Sequence, residues 1–167
     1  GAASQQRVRQ ESVGEPPPPT LVVEERGVPF EVHLERGLNT GLFTDMRERR
    51  RGLARLPPGR SRRSAVAASG PLAVVAARAG ASAVVSVDLS SGVLNWARDN
   101  FRLSGLDPFD RRYEFAASDA SRFLAEAAAA GRRFDLVLAD PPAFSAARGA
   151  AFTIDRDYPA LVAAAAR

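Results

Sequence analysis

Three aspartates stand directly after short apolar runs of the sequence, where strands are predicted to end: Asp88, Asp119 and Asp140. A carboxylate accepts hydrogen bonds from hydroxyl and amino groups, which are the groups that a ribose and an adenine offer. Asp88 comes 18 residues after Gly70, and acidic residues in that position bind the ribose hydroxyls in nucleotide-binding folds. We therefore predict that Asp88 binds a ribose and Asp119 an adenine amino group. The alternative for both is an ordinary role at a helix N-terminus.

The third aspartate begins the segment Asp140-Pro141-Pro142-Ala143-Phe144. Two consecutive prolines restrict the backbone and remove two N–H donors, so that carbonyl oxygens are left to face a ligand. Phe144 offers a ring on which a planar base can stack. We predict that Asp140, Pro141 and Phe144 belong to the catalytic site, the alternative being a surface loop without a function.

The glycines around the first predicted strand restrict the type of cofactor. A nicotinamide cofactor calls for a G-x-G-x-x-G turn, in which the backbone comes close to the pyrophosphate. Of that turn the sequence has only Gly70. A dehydrogenase is therefore disfavoured. A ligand with a ribose and an adenine but no phosphate fits better, and S-adenosylmethionine meets that description.

The elements that must position these residues alternate between strand and helix from residue 64 onward. This order predicts a parallel, doubly wound, Rossmann-like sheet, in which ligands bind beyond the carboxyl ends of the strands. Ser90 or Ser91 is predicted to cap the second helix, and the third helix is predicted to face inward with Phe123, Leu124 and Ala127. The strands are predicted at 65–68, 83–87, 113–117 and 134–139, and the helices at 71–79, from 90 or 91 past 101, and at 120–130.

The N-terminal third of the sequence is organised differently. Residues 1–20 are polar and end in four prolines and a threonine, which predicts an extended, disordered linker. Residues 21–34 alternate between apolar and polar types around Glu25-Arg26-Gly27, which predicts a β-hairpin. Phe30, Val32 and Leu34 then share one face, and His33 points to solvent on the other.

Composition excludes several kinds of site. The sequence has no cysteine and one histidine, so thiolate zinc sites, cysteine nucleophiles and sites built from several histidines are not expected, and we predict no metal. It has no apolar run long enough to span a membrane and no signal peptide at its start, so a cytoplasmic location is expected.

The net charge of +4 favours an anionic partner. A segment of eight arginines from Arg47 to Arg63 is predicted to contact RNA phosphates, with a solubilising helix face as the alternative. The residues selected for RNA binding are Arg49, Arg50, Arg51 and Arg55.

Four segments in this order resemble one family. They are TGLFTDMR at 40–47, SVDLS at 86–90, LNWARDNFRLSGL at 94–106 and FDLVLADPPAFS at 134–145. Together they resemble the class I methyltransferases that act on 23S ribosomal RNA, in particular the C-terminal guanine-N7 domain of the bifunctional large-subunit RNA methyltransferase. The resemblance covers about residues 21–165.

The resemblance implies a role for each matching residue. Gly70 would form the cofactor turn, Asp88 the ribose ligand and Asp119 the adenine ligand of S-adenosylmethionine. Residues 140–144 would form the wall between cofactor and target base, with Asp140 touching both. Asp45 and Arg47 would close the cofactor site, with the arginine on the methionine carboxylate. The family's sheet continues beyond the fourth strand, so the resemblance implies a C-terminally truncated fold.

The chemistry of the bases selects among the relatives. Methylation of cytosine C5 needs a cysteine that attacks C6, and the chain has none. Guanine N7 has an in-plane lone pair and no proton to remove, so that positioning suffices. We expect an RNA methyltransferase that acts on 23S rRNA at guanine N7, with residues 1–20 as linker, 21–60 as hairpin and helix, and 61–167 as the N-terminal part of the methyltransferase domain. The alternatives are methylation at another RNA base or position and an inactive RNA-binding remnant. The remnant is favoured by Arg62 and Arg63, because the resemblance places the family's apolar first strand at these positions.

Overall fold

The computed structural model describes residues 13–35, 39–55, 70–139, 144–145 and 152–165. The predicted first strand at 65–68 lies outside these ranges. The elements are β1 (Leu21–Glu25), β2 (Val28–Val32), α1 (Arg47–Ala54), α2 (Pro71–Arg78), β3 (Val84–Asp88), α3 (Ser91–Leu103), β4 (Tyr113–Ala117), α4 (Ala120–Ala129), β5 (Phe144–Ser145), β6 (Phe152–Thr153) and α5 (Ile154–Ala165).

The predicted hairpin is confirmed. β1 and β2 pair antiparallel, with Leu21 opposite Val32 and Glu25 opposite Val28. The two residues between the strands, Arg26 and Gly27, have φ values of 54° and 75°. Positive φ at both positions is the geometry of a two-residue turn whose twist matches that of the strands, and glycine adopts it without strain.

β3 and β4 form the parallel part of the sheet. Val84 pairs with Tyr113 and Asp88 with Ala117, so the two strands end at the same edge. The α3 helix between them begins as predicted, because the Ser90 side chain accepts a hydrogen bond from the Val93 N–H at 3.3 Å. The crossover is therefore a strand, a capped helix and a parallel strand.

Helices cover both faces of β3. Val84 lies in a buried cluster with residues of α2 and α3, among them Leu72 and Phe101. Val85 and Val87 lie in a second cluster with Phe123, Leu124 and Ala127 of α4 and Leu161 of α5. Because neighbouring residues of a strand point to opposite faces, α2 and α3 cover one face and α4 and α5 the other. This arrangement confirms the doubly wound, Rossmann-like fold class.

The predicted fourth strand is tested by its burial, because the segment predicted to pair with it lies outside the described residues. Residues 134–139 are described, but they pair with no strand in the described part of the chain. Leu136 and Leu138 nevertheless pack against the first cluster and Val137 against the second, which is the alternation of a strand buried on both faces. The segment predicted to pair with them, 65–68, lies outside the described residues. Burial at these positions thus matches the prediction, and the pairing of this segment stays a prediction.

Two further elements follow, β5 and β6, which pair antiparallel through Phe144 and Thr153. The sequence did not indicate this short pair. Of the helices in the ranges given above, none is long and apolar enough to span a membrane.

Candidate functional site

The carboxyl ends of β3 and β4 place two of the predicted site residues next to each other. The Ser118 N–H donates to the Asp88 carbonyl oxygen at 3.1 Å, which fixes the end of one strand against the start of the next loop. Asp119 is the residue after Ser118. The structure therefore brings Asp88 and Asp119 to one edge, as the parallel topology predicts.

The Asp88 side chain is half-buried and has one oxygen in use. Oδ1 accepts a hydrogen bond from the Ser90 N–H at 2.7 Å, which orients the carboxylate. Among the described residues, nothing donates a hydrogen bond to the second oxygen. Burial raises the pKa of this carboxyl above its ordinary value, and the Ser90 N–H opposes that shift. An oriented carboxylate with a second oxygen available can accept hydrogen bonds from a diol.

Asp119 is exposed and caps α4. Its Oδ1 accepts a hydrogen bond from the Arg122 N–H at 3.0 Å. The structure thus shows the capping role that was the alternative in the sequence, and contact with an adenine remains a prediction. Leu89, 60% exposed, and Asp119 lie at a cleft of about 710 Å³ between β4 and α4. The sequence did not single out Leu89.

Gly70 is the N-cap of α2 and has a left-handed backbone, with φ of 83°. A Cβ on this residue would lie 2.8 Å from Ala97 Cβ and 2.9 Å from Ala97 Cα in α3. Only glycine combines this φ with so close an approach. The structure thus shows a glycine turn that lets α2 begin close against α3, and its contact with a cofactor remains a prediction.

Asp45 and Arg47 lie at the start of α1, and both are exposed. The Arg47 N–H donates to the Thr44 carbonyl oxygen at 3.1 Å. Within the described ranges, the Arg47 guanidinium has no hydrogen bond or ion pair, so it is available to a carboxylate ligand. The structure shows no contact between these two residues and Asp88 or Asp119, and their cofactor role remains a prediction.

The arginines predicted to bind RNA fall into two groups. Arg49 and Arg55 are exposed and form no ion pair among the described residues, and Arg51 pairs with Glu48 at 3.0 Å. Arg50 is different, because only 2% of its side chain is exposed and its guanidinium is bonded to Glu25. The geometry argues against the prediction that Arg50 contacts RNA, since burial leaves no surface for a phosphate.

His33 is a clear correction. It was expected to face solvent, yet it is 1% exposed, whereas Leu34, expected inside, is 42% exposed. Its ring packs edge-on against Trp96 with centroids 4.6 Å apart, and Nδ1 lies 2.7 Å from the Pro19 carbonyl oxygen. β2 ends at Val32, so the alternation that predicted the orientation of His33 stops one residue earlier.

The predicted catalytic loop is only partly described. Asp140 and Pro141 lie outside the described residues, and of Phe144 the structure gives the backbone in β5. Their catalytic role therefore remains a prediction. Within the described ranges, no group of three His, Cys, Asp or Glu residues is arranged to hold a metal ion.

Comparisons with known proteins bear on the same features. The family model of the S-adenosylmethionine-dependent methyltransferases matches residues 4–165. The ribosomal RNA large subunit methyltransferase K of Neisseria meningitidis is 36% identical over 144 residues, which cover 85% of this chain and 40% of that protein. The methyltransferase K/L of Shewanella amazonensis is 37% identical over 145 residues, 86% of this chain and 20% of that protein. The chain therefore spans less than half the length of these relatives.

A solved structure shows the same fold. A protein described as a methyltransferase, SMU.776, complexed with S-adenosylhomocysteine, superposes with a TM-score of 0.84 at 26% identity over 93% of this chain and 40% of its own. The glycine turn, the aspartate at the end of β3 and the family match over almost the whole sequence agree with one another. The chain belongs to the S-adenosylmethionine-dependent methyltransferase family.

Proposed function

We propose that this chain carries the cofactor-binding part of a methyltransferase that uses S-adenosylmethionine to methylate 23S ribosomal RNA at guanine N7. The observation that carries the proposal is the end of β3, where Ser90 orients the Asp88 carboxylate and leaves its second oxygen to a ligand. The names of the relatives, which are ribosomal RNA large subunit methyltransferases, support the RNA substrate.

The described residues suit a nucleoside with a charged amino-acid tail. Asp88 accepts hydrogen bonds from the ribose, Asp119 from the adenine amino group, and Gly70 forms the turn at the start of α2. Arg47, exposed and without an ion pair among the described residues, binds the carboxylate of the methionine part, and Asp45 closes the same side. When bound, the cofactor supplies an electrophilic methyl group.

The proposed target atom is one whose methylation asks little of the protein beyond position. N7 of guanine attacks through its own lone pair and loses no proton, so this reaction needs no general base. What the protein then supplies is position: Phe144 stacks on the base, and Asp140 and Pro141 form the wall beside it.

RNA binding uses exposed positive charge. Arg49 and Arg55 present guanidinium groups on and after α1, without ion pairs among the described residues. Such groups bind phosphates without reading the sequence of the RNA. Arg51, held by Glu48, contributes less. A methyltransferase of ribosomal RNA acts in the cytoplasm, which is the location we propose.

One observation favours a second candidate. Arg62 and Arg63 fall where the resemblance places the apolar first strand of the family's sheet, and charge is costly in a strand that is buried on both faces. A chain that does not bind the cofactor and retains only RNA binding is therefore the alternative, beside methylation at another RNA position.

Titration with the cofactor separates these candidates. We expect calorimetry to show saturable binding of S-adenosylhomocysteine, and Asp88→Ala to weaken it. For the reaction, 23S rRNA is taken from a strain that lacks the gene, incubated with the protein and S-adenosylmethionine, and mapped by mass spectrometry. A new methyl group on guanine N7 supports the proposal. A methyl group at another position refutes the N7 assignment, and RNA binding without cofactor binding refutes the enzyme.

A further inference from the structure

A buried ion pair joins the hairpin to α1. The guanidinium of Arg50 donates two hydrogen bonds to the carboxylate of Glu25, from Nε to Oε1 and from Nη2 to Oε2, each at 2.8 Å. The two side chains are 2% and 12% exposed. Two parallel hydrogen bonds of this kind match the planar fork of arginine, and a lysine cannot form both.

The third contact of Arg50 reaches a different part of the chain. Its Nη1 donates to the carbonyl oxygen of Phe43 at 3.0 Å. Phe43 lies in residues 39–46, which we call the cofactor loop because Asp45 belongs to it and Arg47 follows it. One guanidinium thus contacts the hairpin and the cofactor loop at once.

The beginning of the cofactor loop is held by other contacts. The His33 N–H donates to the Thr40 carbonyl oxygen at 3.1 Å. Gly41, at φ of 97°, lies so close to the ring of Trp96 that a Cβ would be 2.2 Å from Cζ2. These contacts hold residues 40 and 41. Arg50 holds the other end, nearer to Asp45.

We propose that Arg50 is a positioning residue: it fixes the cofactor loop to the hairpin and thereby directs Asp45 and Arg47 towards the cofactor. The inference rests on the proposed function, because it assumes that these two residues touch S-adenosylmethionine. It assigns a purpose to the contact between the hairpin and α1. It also explains why one member of an arginine-rich helix is buried and paired.

A stabilising role alone would explain the same ion pair, so the test must separate the two roles. Arg50→Met removes the bond to Phe43 and leaves Glu25 as a buried charge without its partner, so both stability and loop position suffer. The double variant Glu25→Gln/Arg50→Met removes that charge as well. Replacing both members of a buried pair restores much of the stability, but the bond to Phe43 is still missing.

We therefore expect the two variants to differ in melting temperature and to agree in cofactor affinity and in hydrogen exchange of the cofactor loop. The melting temperature falls in Arg50→Met and recovers towards the wild-type value in the double variant. The Kd for S-adenosylhomocysteine rises about 10-fold in both variants, because both lose the hydrogen bond to Phe43 and one hydrogen bond contributes about this much to an affinity. Hydrogen exchange of residues 40–46 accelerates by a similar factor of about 10 in both, while amides of β3 keep wild-type rates in the double variant. Arg102→Met, which removes an exposed pair with Asp99 on α3, is the matched control and leaves the Kd and the loop exchange unchanged.

The outcomes are distinct. If the Kd and the loop exchange of the double variant recover together with its melting temperature, Arg50 only stabilises the fold and the proposal is wrong. If the wild-type protein does not bind S-adenosylhomocysteine, the proposed function is wrong. If hydrogen exchange of residues 40–46 is unchanged in both variants, Arg50 does not fix the loop, and the proposal is wrong whatever the Kd for S-adenosylhomocysteine.

Discussion

Replacement of Gly70 by alanine tests the glycine turn directly, because two separate penalties meet at this residue. The left-handed backbone disfavours any L side chain by about 1–2 kcal/mol. The new Cβ would also lie 2.8 Å and 2.9 Å from Cβ and Cα of Ala97, and overpacking of this kind costs about 1–3 kcal/mol. The sum is about 2–5 kcal/mol, which lowers the melting temperature by roughly 4–20 °C in a domain of this size.

Gly105→Ala is the matched control. Gly105 has φ of 75°, close to that of Gly70, but a Cβ there would meet nothing within 4 Å. It therefore bears only the backbone penalty of about 1–2 kcal/mol. The difference between the two variants, measured by urea unfolding, isolates the contact with α3. Ala97→Gly in the Gly70→Ala background should recover only part of the loss, since the contact with Ala97 Cα remains. Equal destabilisation of Gly70→Ala and Gly105→Ala would show that the close approach of α2 and α3 imposes no constraint.

Four further predictions concern the site and its support. Asp88→Ala should raise the Kd for S-adenosylmethionine about 10- to 100-fold, since a hydrogen bond to a charged group contributes roughly 1.5–3 kcal/mol. Burial raises the pKa of Asp88. As the pH is lowered, calorimetry on the wild-type protein should therefore show the cofactor affinity falling at a higher pH than it would for an Asp of ordinary pKa. An unchanged Kd in Asp88→Ala would show that Asp88 does not bind the cofactor and only accepts the hydrogen bond from the Ser90 N–H. Phe144→Ala should lower kcat/KM for RNA by roughly 5- to 150-fold and leave the cofactor Kd as it is, because stacking contributes about 1–3 kcal/mol per base; a normal rate would contradict stacking. The hydrogen bonds from Arg50 lower the pKa of Glu25. Glu25 therefore contributes stability that is present above about pH 4.3 and lost as the pH falls further. Glu25→Gln should remove this part of the acid dependence in urea unfolding, and an unaltered pH profile would refute the prediction. Arg55→Ala should reduce the slope of log K for RNA against log salt by about 1, and an unchanged slope would remove Arg55 from the interface.

Local signals account for the elements that the sequence predicted well. The β4 strand has the predicted limits, and α4 is capped by Asp119 and buries Phe123, Leu124 and Ala127 as expected. In these segments a capping side chain and a regular apolar pattern lie within a few residues of each other. Such signals need no knowledge of the rest of the chain.

Arg50 and His33 show where local patterns fail. In a run such as Arg-Glu-Arg-Arg-Arg every arginine looks solvated, and the partner that buries Arg50, Glu25, is 25 residues away. One signal was present: Leu53, also buried, lies three residues after Arg50 and therefore on the same side of α1. His33 was assigned by extending the alternation of β2 beyond Val32, and only the contact with Trp96 reveals that the chain turns inward there.

The strand predicted at 134–139 is tested only by its burial. Its apolar alternation is confirmed, since Leu136 and Val137 pack against opposite clusters. A ladder is a property of two segments, and the segment predicted to pair with this one, 65–68, lies outside the described residues. The same holds for the candidate site: Asp88 and Gly70 were predicted from the sequence, whereas the contacts of Arg50 with Glu25 and Phe43 depend on three segments meeting.

Trp96 is an intrinsic fluorescence probe of its contact with the hairpin. The chain has one tryptophan, so its ultraviolet emission has a single indole source. That indole is 7% exposed and lies against His33 and Gly41. Detachment of the hairpin would expose the ring to water and shift the emission to the red, even if the cluster around β3 stayed intact. Fluorescence can thus follow opening of this interface separately from circular dichroism of the helices, and a difference between the two transitions would define the hairpin as an independently opening unit.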